Sequence, residues 1–78
     1  MRVLFFAHLK DVTGCAEITV PGDRIEVDAF WRRLTDAYPG LGPLRSSIRL
    51  ARNSEYVGPG VLLSAEDEIA LIPPVSGG

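Results

Sequence analysis

The chain has 78 residues, is 46% hydrophobic and 23% charged, and carries a formal net charge of −2. This length fits one domain, the composition argues against disorder, and the slightly acidic balance argues against a nucleic-acid-binding surface. The longest early apolar run, Val3–Ala7, is too short for a signal peptide or a membrane helix, and the single cysteine, Cys15, excludes an internal disulfide. We therefore expect a cytoplasmic protein that binds neither nucleic acid nor a membrane.

The first half of the chain predicts two strands followed by a helix. Val3–Ala7 is β-branched and aromatic, which favours a strand, and His8–Gly14 is predicted to be a loop. Ala16–Val20 alternates apolar and polar residues, which indicates a half-buried strand that pairs with the first and stops at Pro21. Apolar residues at spacings of three and four then predict an amphipathic helix that is closed by Pro39. The apolar positions of this helix are Val27, Phe30, Trp31, Leu34 and Tyr38.

The second half predicts further strands separated by turns. In chain order these elements are a linker at Gly40–Pro43, a strand at Ile48–Arg52, a tight turn at Asn53-Ser54 into a short strand at Tyr56-Val57, and a last strand at Glu68–Ile72. Strands segregated from one helix predict an α+β domain in which that main helix packs across a mixed sheet. We expect this domain to span residues 1–74 and residues 75–78 to form a flexible tail.

Side chains suited to catalysis are scattered along the sequence. His8 is the only histidine and fits a solvated strand end, while Cys15 fits a small hairpin residue better than a nucleophile or a metal ligand. Glu66, Asp67 and Glu68 fall in a turn and are predicted to be a solvated face. No glycine-rich phosphate loop and no metal-ligand spacing occurs, so we expect neither a bound cofactor nor a metal.

The end of the chain has the residues of a projecting arm. Pro73 and Pro74 lack an N–H group, cannot continue a strand ladder and stiffen the exit from the last strand. The six residues Pro73–Gly78 reach about 20 Å when extended. Gly77 and Gly78 lack a Cβ atom and can pass a narrow channel. Such an arm suits delivery of the Gly78 carboxylate to the active site of another protein, although a frayed chain end fits these residues equally well.

Three segments resemble the MoaD-type small subunit of molybdopterin synthase. They are VLFFA with the later Thr13-Gly14, LARNSEYV in the middle, and EDEIALIPPVSGG at the end. The similarity runs in order over essentially the whole chain, and its most specific part is Pro-Pro-Val-Ser-Gly-Gly. The helix resembles the family only in its apolar spacing, and Glu26 stands where relatives often have a Ser or Thr helix cap.

The resemblance implies a ubiquitin-like β-grasp fold, with the first and last strands side by side, and a role as sulfur carrier. A MoeB-like enzyme would use ATP to adenylate the Gly78 carboxylate, and sulfur would displace AMP to leave a thiocarboxylate. The tail, formed by Pro73, Pro74, Val75, Ser76 and Gly77, would then enter the larger MoaE-type subunit. There the sulfur would pass to cyclic pyranopterin monophosphate to form molybdopterin.

The resemblance also implies that this chain is not an enzyme on its own. The larger subunit would supply the acid and base residues, and two copies of each subunit would form a heterotetramer. The chain itself would bind no cofactor, because the ATP is consumed by the activating enzyme.

Strand phase predicts a docking face for that larger subunit. Alternate residues of a strand point to opposite faces, so Val3, Phe5 and Ala7, with Ile69 and Leu71, are assigned to the core beneath the helix. The other phase carries charged residues but also four apolar ones, which would form a contiguous patch if the two strands are neighbours. These four candidate partner-binding residues are Leu4, Phe6, Ala70 and Ile72. Scattered surface apolar residues are the alternative interpretation.

Other functions remain open at this point. Sulfur carriers for thiamine, for cysteine or for tRNA thiolation share the fold and the Gly-Gly end, although thiamine carriers tend to be shorter and to lack the Pro-Pro pair. A protein modifier that is conjugated to lysines, as ubiquitin is, is a second class. A plain interaction module with an incidental tail is a third.

Overall fold

The computed structural model of the protein describes residues 1–74. The elements of this described part are β1 (Arg2–Phe5), α1 (Leu9–Thr13), β2 (Glu17–Thr19), β3 (Arg24–Glu26), α2 (Val27–Ala37), a 3-10 helix (Pro39–Ser47), β4 (Arg49–Arg52), β5 (Glu55–Val57), β6 (Leu62–Ser64) and β7 (Glu68–Ile72). The tail predicted at residues 75–78 lies outside the described residues. None of the helices in residues 1–74 has the length and hydrophobicity that a membrane-spanning helix needs.

Five of the strands form one mixed sheet in the order β2-β1-β7-β4-β5, and β3 pairs with β6 in a separate two-stranded sheet. The predicted arrangement of a mixed sheet with one main helix is confirmed. β1 and β7 are adjacent and parallel, with Phe5 paired to Leu71. Parallel strands end at the same edge of a sheet, so the chain leaves β7 toward Pro73 beside the segment that follows β1.

Helix α2 covers one face of the five-stranded sheet. Its apolar stripe is buried, as the spacing predicts, with Phe30 at 0% and Trp31 at 4% exposure, and it packs in one cluster with the inward residues of β1 and β7. Full burial of each such side chain contributes about 1.5–3 kcal/mol. The helix begins after Glu26, whose side chain makes no capping hydrogen bond, and the chain enters the 3-10 helix at Pro39.

The prediction for the segment after β1 is wrong in two respects. The strand ends at Phe5, two residues earlier than predicted. Ala7, which was assigned to the core by strand alternation, is exposed, because its φ of 52° ends the alternation. Helix α1 then replaces the predicted loop. Its Leu9 is fully buried, and Gly14 ends it in the left-handed conformation, with a φ of 80°. A buried leucine thus anchors a five-residue helix that is too short to show a helical period.

Two further segments depart from the prediction. The linker predicted at Gly40–Pro43 belongs to the 3-10 helix, where Leu41 is fully buried. Strands β3 and β6 were not predicted, because each has three residues and places only its central residue, Ile25 or Leu63, in the core. So short an alternation carries no usable period, and only the pairing of distant segments defines these two strands.

The tight turn predicted at Asn53-Ser54 is confirmed and is tied to the start of β7. Asn53 and Ser54 both have positive φ, 49° and 74°, as the two-residue hairpin between β4 and β5 requires. The Asn53 amide donates to Asp67 Oδ1 at 3.1 Å, and its Oδ1 accepts from the backbone N–H of Glu68 at 3.0 Å. Asn53 thus adopts the left-handed backbone conformation that the turn between β4 and β5 requires, and its side chain ties this turn to the start of β7.

Replacing Asn53 is expected to lower the free energy of unfolding. Asn53→Ala removes both hydrogen bonds and places a residue that disfavours positive φ in the turn, and we expect a loss of about 1–3 kcal/mol. Asn53→Gly removes the same bonds but keeps the backbone relaxed, so its loss should be smaller. Urea unfolding of the three proteins measures the difference. Equal stability of Asn53→Ala and the unsubstituted protein would contradict the assigned role.

Candidate functional site

The side of the five-stranded sheet away from α2, called the open face here, carries the predicted docking residues. Their inward neighbours are buried, with Val3, Ile69 and Leu71 at 0% and Phe5 at 2% exposure, which confirms the assignment of these four to the core. Leu4 and Ala70, one step along each strand, are half-buried and lie opposite one another in the β1–β7 ladder. The first pair of predicted residues is therefore adjacent on the open face.

The second pair lies at the end of the sheet where the chain exits. Phe6 directly follows the last residue of β1 and is 46% exposed, and Ile72 is the last residue of β7 and is half-buried. Because Phe5 pairs with Leu71, these two residues occupy equivalent positions in neighbouring chain segments. The structure thus places all four predicted residues on adjoining positions, while their role in docking stays a prediction.

Two residues that the sequence analysis missed extend this apolar surface. Ala51 of β4 pairs with Ala70, and Tyr56 of β5 pairs with Ala51, so one row that starts at Leu4 crosses four strands of the open face. Ala51 itself is buried, at 5% exposure, and it connects the half-buried Ala70 to Tyr56. Tyr56 is 58% exposed. Only the nonlocal pairing of β4 with β7 reveals this row. We call the set the open-face patch, and its members are Leu4, Phe6, Ala51, Tyr56, Ala70 and Ile72.

Charge is distributed unevenly around the open-face patch. At the far end, Arg2 forms salt bridges with Glu17 at 3.3 Å and with Glu68 at 2.8 Å. At the exit end, Arg49 pairs with Ile72 across the ladder, and its guanidinium lies 4.1 Å from the centre of the Tyr56 ring. Arg49 makes no salt bridge with any of residues 1–74. A partner that covers the patch would therefore meet, close to the chain exit, a cation that has no acidic partner among residues 1–74.

The exit itself begins directly after the sheet. β7 ends at Ile72, the half-buried Pro73 and the exposed Pro74 follow, and neither proline can donate to a ladder. The remaining predicted tail residues, Val75, Ser76, Gly77 and Gly78, lie outside the described residues, so the role assigned to Gly78 stays a prediction.

Two of the other sequence candidates, His8 and Cys15, lie at opposite ends of α1. His8 precedes the helix and is exposed. Cys15 is half-buried, and its Sγ lies 3.8 Å from Thr13 Oγ1 and 4.0 Å from the Tyr38 hydroxyl. The hydrogen bond to Cys15 and, after it, burial raise the pKa of Tyr38. Cys15 therefore links the end of α1 to the segment after α2 through contacts with the Thr13 and Tyr38 hydroxyl groups.

The turn carboxylates have structural partners. Asp67 Oδ2 accepts a hydrogen bond from the backbone N–H of Ser64 at 2.8 Å, and its Oδ1 accepts from Asn53. Glu68 is paired with Arg2. Among residues 1–74, no three His, Cys, Asp or Glu side chains cluster as metal ligands would. These carboxylates hold turns and strand ends together.

Substitution of Cys15 or His8 is expected to leave sulfur transfer intact. If the sulfur travels on a terminal acyl group, neither side chain needs to carry it. Cys15→Ala and His8→Ala should support normal transfer in a reconstituted assay, with at most a modest change in thermal stability for Cys15→Ala, because it loses the Tyr38 contact. A large loss of transfer in Cys15→Ala whose circular dichroism is unchanged would refute this prediction.

Comparison with known proteins decides the family. Residues 3–78 match the sequence model of the ThiS family, which covers nearly the whole chain and includes the segment beyond Pro74. The chain belongs to the ThiS family. This membership fits the adjacent, parallel first and last strands, and it agrees with the resemblance carried by the terminal motif.

Individual relatives match over similar lengths. The human molybdopterin synthase sulfur carrier subunit is 39% identical, over 100% of this chain and 93% of the human protein. The crystal structure of SAMP1 from Haloferax volcanii superposes with a TM-score of 0.80 at 34% identity, over 100% of this chain and 98% of that chain. A chain in the complex of subunits 1 and 2 of the molybdopterin-converting factor from Helicobacter pylori matches with a TM-score of 0.69 at 22% identity, over 99% of this chain and 96% of that chain. At this identity the match shows the fold alone. The predicted ubiquitin-like β-grasp fold is confirmed.

Proposed function

We propose that this chain is the sulfur carrier subunit of a molybdopterin synthase and acts in the cytoplasm. The observation that carries the proposal is its similarity to sulfur carrier subunits over the whole chain, 39% identity to the human protein among them. The sheet geometry supports it, because the parallel pairing of β1 with β7 brings the open-face patch and the chain exit to the same end of the molecule. The proposed docking surface thereby lies next to the segment that would enter the partner.

The proposed chemistry takes place on the terminal carboxyl group of Gly78. A carboxylate is a poor electrophile, so a MoeB-like enzyme uses ATP to convert it into an acyl-adenylate. Sulfur then displaces AMP, and the product is a thiocarboxylate. The tail carries this group into a MoaE-type subunit, where the sulfur passes to cyclic pyranopterin monophosphate.

The partner subunit supplies the acid and base residues in this proposal. The turn carboxylates of this chain support that division of labour, because Asp67 and Glu68 are engaged in hydrogen bonds and a salt bridge within the fold. The chain binds no cofactor of its own, and the ATP is used by the activating enzyme. The working assembly is a heterotetramer of two large and two small subunits.

Reconstitution from purified components tests the proposal. The chain, a MoeB-like enzyme, ATP and a sulfur source should together yield a chain in which one oxygen is replaced by sulfur, as intact-mass measurement shows. Addition of a MoaE-type subunit and cyclic pyranopterin monophosphate should then yield molybdopterin, and omission of that subunit is the control. A thiocarboxylated chain that binds the large subunit without forming molybdopterin would point to another sulfur pathway.

Protein modification is the second candidate function. It is favoured by the similarity to the small archaeal modifier protein 1 of Haloferax volcanii, which is 39% identical over 100% of this chain. A modifier would be recovered from its native host attached to lysines of other proteins through Gly78. Peptide mapping of covalent adducts from the host separates the two functions, because a dedicated carrier would not be recovered attached to lysines of other proteins.

A further inference from the structure

The surface of this protein offers almost no nucleophilic amine. Lys10 is the only lysine in the 78 residues, and the remaining residues of the Lys and Arg set are all arginines. Arginine stays protonated under physiological conditions and does not act as an amine nucleophile. The α-amino group of Met1 is buried and donates a hydrogen bond to the Val20 carbonyl oxygen at 2.7 Å, with Met1 only 5% exposed. Lys10 is therefore the one exposed amine.

Lys10 lies close to the edge of the sheet from which the chain exits. Helix α1 begins within one turn of the end of β1, since the Leu9 N–H bonds to the Phe6 carbonyl and the Lys10 N–H to the Ala7 carbonyl. The buried Leu9 fixes this helix against the core, while Lys10 itself is exposed. Its ammonium group makes no salt bridge with residues 1–74. Because β1 and β7 end at the same edge, the segment that leads from β1 to Lys10 and the segment that begins at Pro73 both leave the sheet at that edge.

We propose that Lys10 is an acceptor site for the activated Gly78 acyl group, which it joins in an isopeptide bond. The proposal rests on the proposed function, since it needs the acyl-adenylate that ATP and the activating enzyme supply. The deprotonated Lys10 amine attacks the Gly78 carbonyl carbon, a C–N bond forms, and the C–O bond to the phosphate breaks. AMP leaves with the electron pair, and the proton from nitrogen passes to solvent.

The acyl group can come from the same chain or from a second copy, and the bond formed is the same. The six residues Pro73–Gly78 reach about 20 Å when extended, which permits attack within one molecule. Sulfur and Lys10 compete for one adenylate in either case. The isopeptide bond should therefore accumulate when the sulfur source is withheld and decline when it is restored.

The test uses the full chain, a MoeB-like enzyme and ATP, without a sulfur source. Intact-mass measurement should show loss of one water, either in the monomer for attack within one chain or in a covalent dimer for attack between chains. Fragmentation should place the bond between Gly78 and Lys10. Lys10→Arg keeps the charge but removes the amine, so it should abolish both products while still forming the thiocarboxylate once sulfur is supplied.

A mixture of two variants separates attack between chains from attack within one chain. Lys10→Arg can only donate the acyl group, and a chain that ends at Gly77 can only accept it at Lys10. A covalent dimer in the mixture, with none in either variant alone, assigns the bond to two copies. A water loss confined to the unsubstituted monomer assigns it to one chain.

Two results would overturn the assignment of Lys10. One is an isopeptide or ester bond that persists in Lys10→Arg at another residue. The other is the absence of any bond in the unsubstituted chain under conditions in which the thiocarboxylate forms normally with sulfur. If no thiocarboxylate forms either, the proposed function fails, and the assignment of Lys10 fails with it.

Discussion

A chain that ends at Gly77 should be inactive in sulfur transfer, even though its fold and its open-face patch are retained. The terminal carboxyl of Gly78 is the proposed site of adenylation, and shortening the chain by one residue moves the carboxyl about 3.5 Å from its working position. Misplacement of a reacting group by as little as 1 Å can cost about a hundredfold in rate. The measurement is intact-mass detection of the thiocarboxylate, followed by an assay for molybdopterin.

The control for this prediction is a chain in which Gly78 is present but blocked by added residues. It should fail in the same way, because its terminal carboxyl belongs to a different residue. Both variants should bind the large subunit with near-normal affinity through the open-face patch, which separates a chemical defect from a docking defect. Normal sulfur transfer by the extended, unprocessed chain would show that Gly78 does not carry the sulfur.

Phe6→Ala and Ile72→Ala should each weaken the complex with the larger subunit by roughly 30-fold, or about 2 kcal/mol. Both residues lie at the exit end of the open-face patch, where a partner that receives the tail has to sit. Phe6 is 46% exposed and Ile72 is half-buried, so their truncation should leave the fold of the free chain largely intact. Calorimetric titration against the large subunit measures the affinity, and circular dichroism monitors the fold.

Leu62→Ala is the matched control for these two substitutions. Leu62 is 48% exposed, close to the 46% of Phe6, but it lies in β6 of the separate two-stranded sheet. Its truncation removes a comparable exposed apolar side chain and should leave the affinity unchanged. Equal effects of Leu62→Ala and Phe6→Ala, or unchanged affinity in both Phe6→Ala and Ile72→Ala, would place the docking surface elsewhere.

The charges beside the open-face patch add a constraint on the partner. Arg49 stacks on Tyr56 and has no acidic partner within residues 1–74, whereas Arg2 at the other end is already paired with two glutamates. A partner that places an acidic or carbonyl group over Arg49 would satisfy this cation near the chain exit. The two ends of the patch therefore differ in charge. At one end Arg2 is paired with glutamates, whereas the end where the tail leaves is basic.

The sequence by itself determined the elements that have a strong local signal. The spacing of apolar residues in Val27–Ala37 defines α2 because a helix turns every 3.6 residues, and the alternation in β7 assigns Ile69 and Leu71 to the core. The turn at Asn53 was predictable because asparagine tolerates positive φ. The terminal motif indicated the family, and with it the proposed function, although residues 75–78 lie outside the described structure.

Only the tertiary structure decided the features that depend on contacts between distant residues. Leu9 and Leu41 anchor α1 and the 3-10 helix through burial rather than local pattern, and β3 exists only because β6 pairs with it. The row that brings Tyr56 to the open-face patch likewise needs three strand pairings. The exposure of Lys10 and the burial of the Met1 amine also depend on the packing of the folded chain. Sequence periodicity reports which side of an element is apolar, whereas the identity of its neighbour is set by the packing of the whole chain.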